Sequence, residues 1–273
     1  MTPIGFIGLG SQGGPMAQRI IDAGYPTTLW ARRPASLEPF ADTAAKVARS
    51  PAELAAASDL ICLCVVGDAD VEELAAGENG LLAGAKPGSV IAVHSTVHPK
   101  TCRELAERAA AQGVSVIDAP VSGGAPAVAE GRLLVMVGGD TDVVERCRPV
   151  FETYAEPVIH LGELGSGQTT KLLNNLLFTA NLGTAAATLS LGKALGVLPD
   201  RLSEVISRGS GNSFALSALG GDTAGLDRLA GLAGTLLQKD VRLVADLADA
   251  AAVAGGAVLD AADATLTGME HPR

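Results

Sequence analysis

A glycine-rich turn close to the start of the chain is the feature that most constrains its fold. The residues Gly8-Leu9-Gly10-Ser11-Gln12-Gly13 fit the pattern G-x-G-x-x-G and lie between a strand-like run at 4–8 and a helix-like segment at 15–23. In such a turn the first glycine permits the tight bend, the second lets the backbone approach a pyrophosphate, and the third allows close helix–strand packing. The alternative is a strand–helix turn without a ligand. We expect a dinucleotide to contact this turn at Gly8, Leu9, Gly10, Gln12 and Gly13.

Alternating strand-like and helix-like segments fill the first half of the chain. The strand-like runs are 4–8, 27–30, 60–66, 89–93, 114–117, 133–137 and 158–160. The helix-like segments are 15–23, 51–57, 71–76, 100–112 and 142–154. This alternation favours a mostly parallel sheet that is covered by helices.

The second half of the chain has a different pattern. No convincing strand follows Gly165, and helical periodicity covers 168–195, 199–207, 233–254 and 257–267. The change of period places a domain boundary in the glycine-flanked stretch 161–165. The sequence therefore predicts an α/β fold with an N-terminal, doubly wound Rossmann-type sheet over residues 1–163. An all-α C-terminal domain over residues 164–273 follows, joined to the first by a long interdomain helix.

An uncharged segment in that helix raises the question of whether the chain enters a membrane. The segment 172–192 holds no charged residue and has about the length of a spanning helix. It also holds polar side chains on every face, which would be costly in lipid. We therefore expect no membrane insertion, and instead a helix that is buried between domains or between the subunits of a homodimer or homotetramer.

The charge balance excludes one class of partner. Twenty Lys and Arg against thirty Asp and Glu give a net charge of −10, so we expect no nucleic-acid binding. One small anionic ligand stays compatible with this charge where positive groups are placed locally. The four cysteines show no paired spacing, and the first residues lack a basic segment followed by an apolar one. We expect reduced, buried thiols and a cytoplasmic protein.

Two histidines raise the question of a metal site. His94 and His98 are four residues apart, but Pro99 interrupts any helix there and no third ligand is obvious. We interpret both as loop histidines and expect no metal.

The end of the second predicted strand indicates which dinucleotide binds. Ala31 stands where an NAD site places Asp or Glu to hold the ribose 2′-hydroxyl. Arg32 and Arg33 follow it, and guanidinium groups bind phosphate through paired, charge-assisted hydrogen bonds. We expect Ala31, Arg32 and Arg33 to line the ribose and predict NADP(H) in preference to NAD(H). The alternative is that the two arginines form a solvated loop pair.

Three further stretches carry functional groups. Asp118-Ala119-Pro120-Val121-Ser122-Gly123-Gly124 follows a strand and offers a hydroxyl and glycine N–H groups to an anion. The stretch 165–175 opens the long helix and places Lys171 and Asn175 four residues apart, on one face. Leu236-Leu237-Gln238-Lys239-Asp240 lies in a later helix.

Together with the glycine turn, these stretches resemble the β-hydroxyacid dehydrogenase family. That family includes 3-hydroxyisobutyrate dehydrogenase, tartronate semialdehyde reductase and the glyoxylate/succinic semialdehyde reductases. The resemblance runs from about residue 4 to residue 245, and the motifs occur in the family's order. They are the cofactor loop at 8–17, the turn His94-Ser95-Thr96, the substrate-binding sequence at 118–124 and the catalytic helix at 167–175.

The resemblance implies a role for each matching residue. The substrate carboxylate would be held by Ser122, Gly123 and Gly124. Lys171 would be the catalytic acid/base, and Asn175 would orient the substrate or the lysine. The remaining matches would contact the cofactor: Val65, Val66, Ser95, Thr96 and Lys239.

The implied reaction is NADP(H)-dependent hydride transfer between the nicotinamide and a small β-hydroxyacid or carboxylate-bearing semialdehyde. Hydride addition to an aldehyde creates an alkoxide, which an ammonium group can stabilise and then protonate. Imine reductases and reductive aminases share this architecture but usually carry another residue at the position of Lys171. A non-catalytic NADP-binding protein is the third alternative, against which the pair Lys171 and Asn175 argues. The family's pocket-wall region, here 208–214 and 219–233, resembles no single member closely, so the substrate stays open.

Overall fold

A six-stranded parallel sheet forms the centre of the first of two compact units, Met1–Lys171. The structure is a computed structural model and describes residues 1–221 and 225–273. The strands are β1 (Ile4–Ile7), β2 (Thr27–Trp30), β3 (Lys46–Val47), β4 (Leu60–Leu63), β5 (Val90–Val93) and β6 (Ser115–Asp118). They lie in the order β3-β2-β1-β4-β5-β6, with every neighbouring pair parallel. The predicted Rossmann-type sheet is therefore confirmed.

Helices cover this sheet on both faces. They are α1 (Gly13–Asp22), α2 (Pro51–Ala56), α3 (Asp68–Ala76), α4 (Leu81–Gly84) and α5 (Pro99–Ala110), with a 3-10 helix at Pro34–Phe40. One core cluster packs Phe6 and Leu29 with α1, and the other packs Ile61 and Leu63 with the opposite layer. Because β1, β4 and β5 are buried on both faces, they appear in the sequence as continuous apolar runs without alternation.

A second, three-stranded sheet completes the first unit. It contains β7 (Val121–Ser122), β8 (Leu133–Val137) and β9 (Ala155–His160), together with α6 (Gly124–Ala129) and α7 (Thr141–Phe151). Strand β7 runs antiparallel to β8, and β8 runs parallel to β9. The alternation of segments favours a single mostly parallel sheet, whereas only a bridge between Asp118 and Gly138 joins these strands to β6. Periodicity identifies strands but not their partners, since pairing depends on contacts distant in sequence.

Every regular element that the structure describes in the second unit, Leu172–Arg273, is a helix. Helix α8 (Ser166–Ala194) begins in the first unit and continues into the second, and α9 (Pro199–Arg208), α10 (Phe214–Leu219), α11 (Gly225–Ala250) and α12 (Gly256–Gly268) follow. Leu176, Leu182, Val241 and Leu266 are among its buried core residues. The predicted all-helical second half is confirmed. Helix α10 lies outside the segments in which the sequence predicts a helix.

Threonine hydroxyls in the uncharged stretch of α8 donate to carbonyls of their own helix. The hydroxyl of Thr179 donates to the carbonyl of Asn175 at 2.8 Å, and Thr188 donates to Thr184 at 2.7 Å. Leu173, Leu177 and Leu191 lie on the exposed side of the same helix. Among the described residues, no helix combines the length and the apolar character that crossing a membrane requires.

Candidate active site

The predicted cofactor residues of the first unit gather where parallel strands end. The glycine turn follows β1, Val65 and Val66 follow β4, and Ser95 and Thr96 follow β5. The strand order reverses between β1 and β4, since β2 continues the sheet on one side and β5 on the other. In open parallel sheets, ligands bind in the crevice at this reversal, outside the carboxyl ends of the strands.

The glycine turn has the geometry of a pyrophosphate cradle. Gly8 has φ +99°, and a Cβ there would collide with the carbonyl oxygen of Cys64, so only glycine fits. A Cβ on Gly10 would meet nothing within 4 Å, which leaves the backbone open to a ligand. Among the described residues, nothing accepts a hydrogen bond from the buried Nε2 of Gln12. The accessible backbone at Gly10 and the amide donor of Gln12 suit the phosphates of a dinucleotide.

The arginines after β2 lie on the surface, and one of them pairs with carboxylates of α3. Arg32 and Arg33 are both exposed. The Arg32 Nη2 donates to Asp70 Oδ1 at 3.1 Å and to Glu73 Oε2 at 3.0 Å, and both acceptors lie on α3. Nothing in the sequence near Arg32 reveals this pairing, since about forty residues separate the partners.

Ser95 ties the ends of two strands together. Its Oγ accepts a hydrogen bond from the N–H of Val65 at 2.7 Å and donates to the carbonyl of Leu63 at 3.4 Å. Ser95 is buried, whereas Thr96 is half-buried and Val66 is exposed. Of the predicted residues at this edge, Val65, Val66 and Thr96 are at least partly accessible, and the Ser95 side chain holds β4 to β5.

The predicted carboxylate-binding segment begins at β7. Ser122 is half-buried, and Gly123 and Gly124 have φ of +126° and +70°. Residues with a side chain rarely adopt such φ angles, so these two positions require glycine. Together the hydroxyl and the backbone of the two glycines form a polar turn suited to an anion.

Asp118 anchors the start of α8, a role that the sequence analysis did not assign. Its side chain is fully buried, and its two oxygens accept from the N–H groups of Gly165 and Gln168, each at 2.6 Å. These are N–H groups at a helix start that lack partners within the helix. Burial raises the pKa of Asp118 to about 6, although the two N–H donors lower it in part. The sequence signal for this role is an acidic residue directly at the end of an apolar strand.

Gln168 fixes the same helix to the strand end that carries Thr96. Its Nε2 donates to the carbonyl of Ser95 at 2.7 Å, and its Oε1 accepts from the N–H of Val97 at 3.1 Å. The side chain is fully buried. Three residues later, Lys171 is 8% exposed, so burial argues against an ordinary surface lysine. The first turn of α8 is therefore held by Asp118 on one side and by Gln168 on the other.

His94 is a structural residue of the core. Its Nδ1 lies 2.7 Å from the carbonyl of Ala119, which can only accept, so Nδ1 carries the hydrogen and Nε2 accepts from the Tyr154 hydroxyl at 3.3 Å. Burial lowers the pKa of His94 to about 4, so the ring is neutral. His98 caps α5, where its Nδ1 accepts from the N–H of Lys100 at 3.0 Å.

The remaining predicted residues belong to the second unit. Asn175 follows Lys171 by one helical turn on α8, and its Nδ2 donates to Asp240 Oδ2 at 2.6 Å. Asp240 is buried, and its Oδ1 lies 2.9 Å from the Nζ of Lys239. Asp240 follows the predicted cofactor residue Lys239, but no motif of the sequence gives it a role. Of the proposed pocket-wall region, residues 222–224 lie outside the described residues.

The four cysteines are unpaired thiols. Burial raises the pKa of Cys64 and of Cys147 to about 12, so neither forms a thiolate at neutral pH. None of them supplies a nucleophile for the site.

Comparison with known proteins identifies both parts of the chain. Residues 3–162 match the family model of the NAD-binding domain of 6-phosphogluconate dehydrogenase. Residues 165–267 match that of the NAD-binding domain of NADP-dependent 3-hydroxyisobutyrate dehydrogenase. A 2-(hydroxymethyl)glutarate dehydrogenase of Eubacterium barkeri is 35% identical over 246 residues, 88% of this chain and 80% of the relative. An uncharacterised oxidoreductase of Mycobacterium tuberculosis is 41% identical over 197 residues, 72% of this chain but only 66% of the relative.

Solved structures give the same relationship. The 3-hydroxyisobutyrate dehydrogenase of Mycobacterium tuberculosis, solved with L-serine, superposes with a TM-score of 0.87 at 30% identity. The alignment covers 99% of this chain and 94% of that one. A protein named Psf3, solved with NADP+ and 2-OPP, superposes with a TM-score of 0.82 at 25% identity, covering 98% of this chain and 93% of that one.

The buried carboxylate of Asp118 predicts a pH-dependent stability. Its native pKa lies above the ordinary value of 3.8, so the native state holds a proton that the unfolded chain has lost, and stability falls as pH rises from about 4 to about 6. The shift corresponds to about 3 kcal/mol. Urea unfolding of the wild type and of Asp118→Asn, measured from pH 4 to pH 7.5, gives the difference in unfolding free energy. We expect the wild type to lose stability relative to the variant across this window, and a constant difference would contradict the assignment.

Proposed function

The chain belongs to the β-hydroxyacid dehydrogenase family of NAD(P)-binding oxidoreductases, and we propose that it transfers hydride between NADP(H) and a small carboxylate-bearing substrate. The substrate would be a β-hydroxyacid in one direction and a semialdehyde in the other. The burial of Lys171 on the anchored first turns of α8 is the observation that carries this proposal.

Each part of the site has a place in this reaction. The glycine turn and Arg32 would hold the dinucleotide, in residues 1–163, and Ser122 with the turn after it would bind the substrate carboxylate. When bound, the nicotinamide supplies or accepts the hydride at the substrate carbon. Lys171 would donate a proton from Nζ to the substrate oxygen in reduction and accept it in oxidation. Asn175, held by Asp240, would orient the substrate from the helical domain, residues 164–273.

Two further properties belong to this proposal. The exposed leucines of α8, Leu173, Leu177 and Leu191, support assembly into a homodimer or homotetramer, which light scattering on the purified chain would measure. The unpaired, buried cysteines support a cytoplasmic location.

Replacement of the proposed acid/base should lower the turnover rate and leave cofactor binding unchanged. We expect Lys171→Met to lower kcat by at least about a hundredfold, the usual scale for a general acid–base group, without weakening NADPH binding. Lys193→Met is the matched control, because Lys193 lies on the same helix in an exposed position. Steady-state rates with fluorescence titration of NADPH test both, and equal rates for the two variants would remove the proposed role.

The arginine after β2 should determine the cofactor. We expect Arg32→Asp to lower kcat/KM for NADPH by about tenfold or more, since the variant loses a charge-assisted hydrogen bond to the 2′-phosphate and adds a repulsive carboxylate. The value of kcat/KM for NADH should stay the same or rise. Paired kinetics with the two cofactors on one substrate measure this, and an unchanged ratio would show that Arg32 does not contact the phosphate.

A substrate panel separates the proposal from its alternatives. NADPH oxidation would be followed with glyoxylate, succinic semialdehyde, methylmalonate semialdehyde, tartronate semialdehyde and cyclic imines. We expect turnover of at least one carboxylate-bearing aldehyde, because Lys171 and the turn at Ser122 suit that class. Activity on the imines alone would instead establish an imine reductase, and NADPH binding with no turnover would favour a non-catalytic protein.

A further inference from the structure

Two carboxylates form ion pairs with the guanidinium group of Arg32, which would bind the cofactor's 2′-phosphate. Asp70 and Glu73 are three residues apart on α3, so they lie on one face of the helix. Both accept hydrogen bonds from the same nitrogen of Arg32, at 3.1 Å and 3.0 Å. The sequence analysis gave neither carboxylate a role.

The position of α3 is held by its own buried contacts. Asp68 Oδ1 accepts from the N–H of His98 at 2.8 Å and from the Thr101 hydroxyl at 2.6 Å, which ties the first turn of α3 to the start of α5. Val71 and Leu74 of the same helix are buried in the core. Asp70 and Glu73 are therefore presented to Arg32 by a packed helix.

Arg32 and Arg33 contribute two positive charges, and Asp70 and Glu73 contribute two negative charges, so these four side chains sum to zero. Asp68 and Glu72 add further negative charge on α3. A dianionic 2′-phosphate that reaches Arg32 must compete with both carboxylates for the guanidinium and is repelled by them. A ribose 2′-hydroxyl carries no charge and meets no such repulsion.

We propose that Asp70 and Glu73 are specificity-determining residues, which weaken the preference for NADP(H) over NAD(H) by pairing with Arg32. The proposal rests on the proposed NADP(H)-dependent function. It implies a chain that accepts both dinucleotides more evenly than its two arginines alone would allow. Because exposed charges are screened by salt, the effect of the carboxylates declines as ionic strength rises.

Neutral substitutions test this with little change of shape. The variants are Asp70→Asn, Glu73→Gln and the double variant, and Glu72→Gln is the matched control. Glu72 lies on the same helix and loses the same charge, but it points away from the face that Asp70 and Glu73 share and makes no ion pair with Arg32.

Binding can be read without knowledge of the substrate. Trp30 is the only tryptophan and directly precedes Ala31 and Arg32, so its emission reports on occupancy of this region. Titrations with NADP+ and with NAD+, at low and at high salt, give the ratio of the two dissociation constants for each variant.

The expected result is a selective gain for NADP+. Each single variant should tighten NADP+ binding by up to about fivefold, the scale of an exposed ion pair, and the double variant by more. NAD+ binding and the Glu72→Gln control should stay unchanged, and the gain should shrink at high salt. An unchanged or weakened affinity for NADP+ in the double variant would overturn the proposal, and so would a loss of NAD+ affinity, which would mean that the carboxylates hold the ribose directly.

The Arg32→Asp variant distinguishes an error in the role of Asp70 and Glu73 from an error in the proposed function. If Arg32→Asp loses NADP+ affinity while the neutral α3 variants bind like the wild type, only the role of Asp70 and Glu73 is wrong. If Arg32→Asp binds NADP+ as the wild type does, the cofactor assignment itself is wrong.

Discussion

Two N–H groups at the start of α8 donate to one buried carboxylate, and the placement of Lys171 depends on that pair of hydrogen bonds. Asp118 ends β6, so its position is set by the parallel sheet, and the sheet in turn sets where the helix begins. A buried carboxylate is costly unless it is hydrogen-bonded. The two N–H donors reduce that cost at the point where α8 begins.

The surrounding polar groups extend this constraint across the strand ends. Ser95 joins β4 to β5, Gln168 joins α8 to the backbone beside Thr96, and His94 joins β5 to the backbone that leads to Ser122. Each of these side chains is buried and hydrogen-bonded. The residues that we propose as ligand contacts are thus supported by buried, hydrogen-bonded residues, which is how a site keeps its geometry.

The proposed ribose end of the cofactor site is organised differently. Arg32 and its two partners are exposed or half-exposed, so their interactions are screened by water and salt. In our proposals, buried hydrogen bonds position the chemistry, whereas surface charges adjust the choice of dinucleotide. In a chain of net charge −10, the few arginines near a phosphate site are exposed to competition from acidic side chains.

Local periodicity and motifs of adjacent residues predicted the parallel sheet, the helical second half, the glycine turn and the family. They did not predict the two-residue strands β3 and β7, which are too short for a period, or the short helices α4, α6 and α10. Three contacts of the folded chain have no counterpart in those patterns: Asp118 caps α8, Gln168 spans to Ser95, and Arg32 pairs with α3. Each of these contacts joins residues more than thirty positions apart, and no local pattern encodes a partner at that distance.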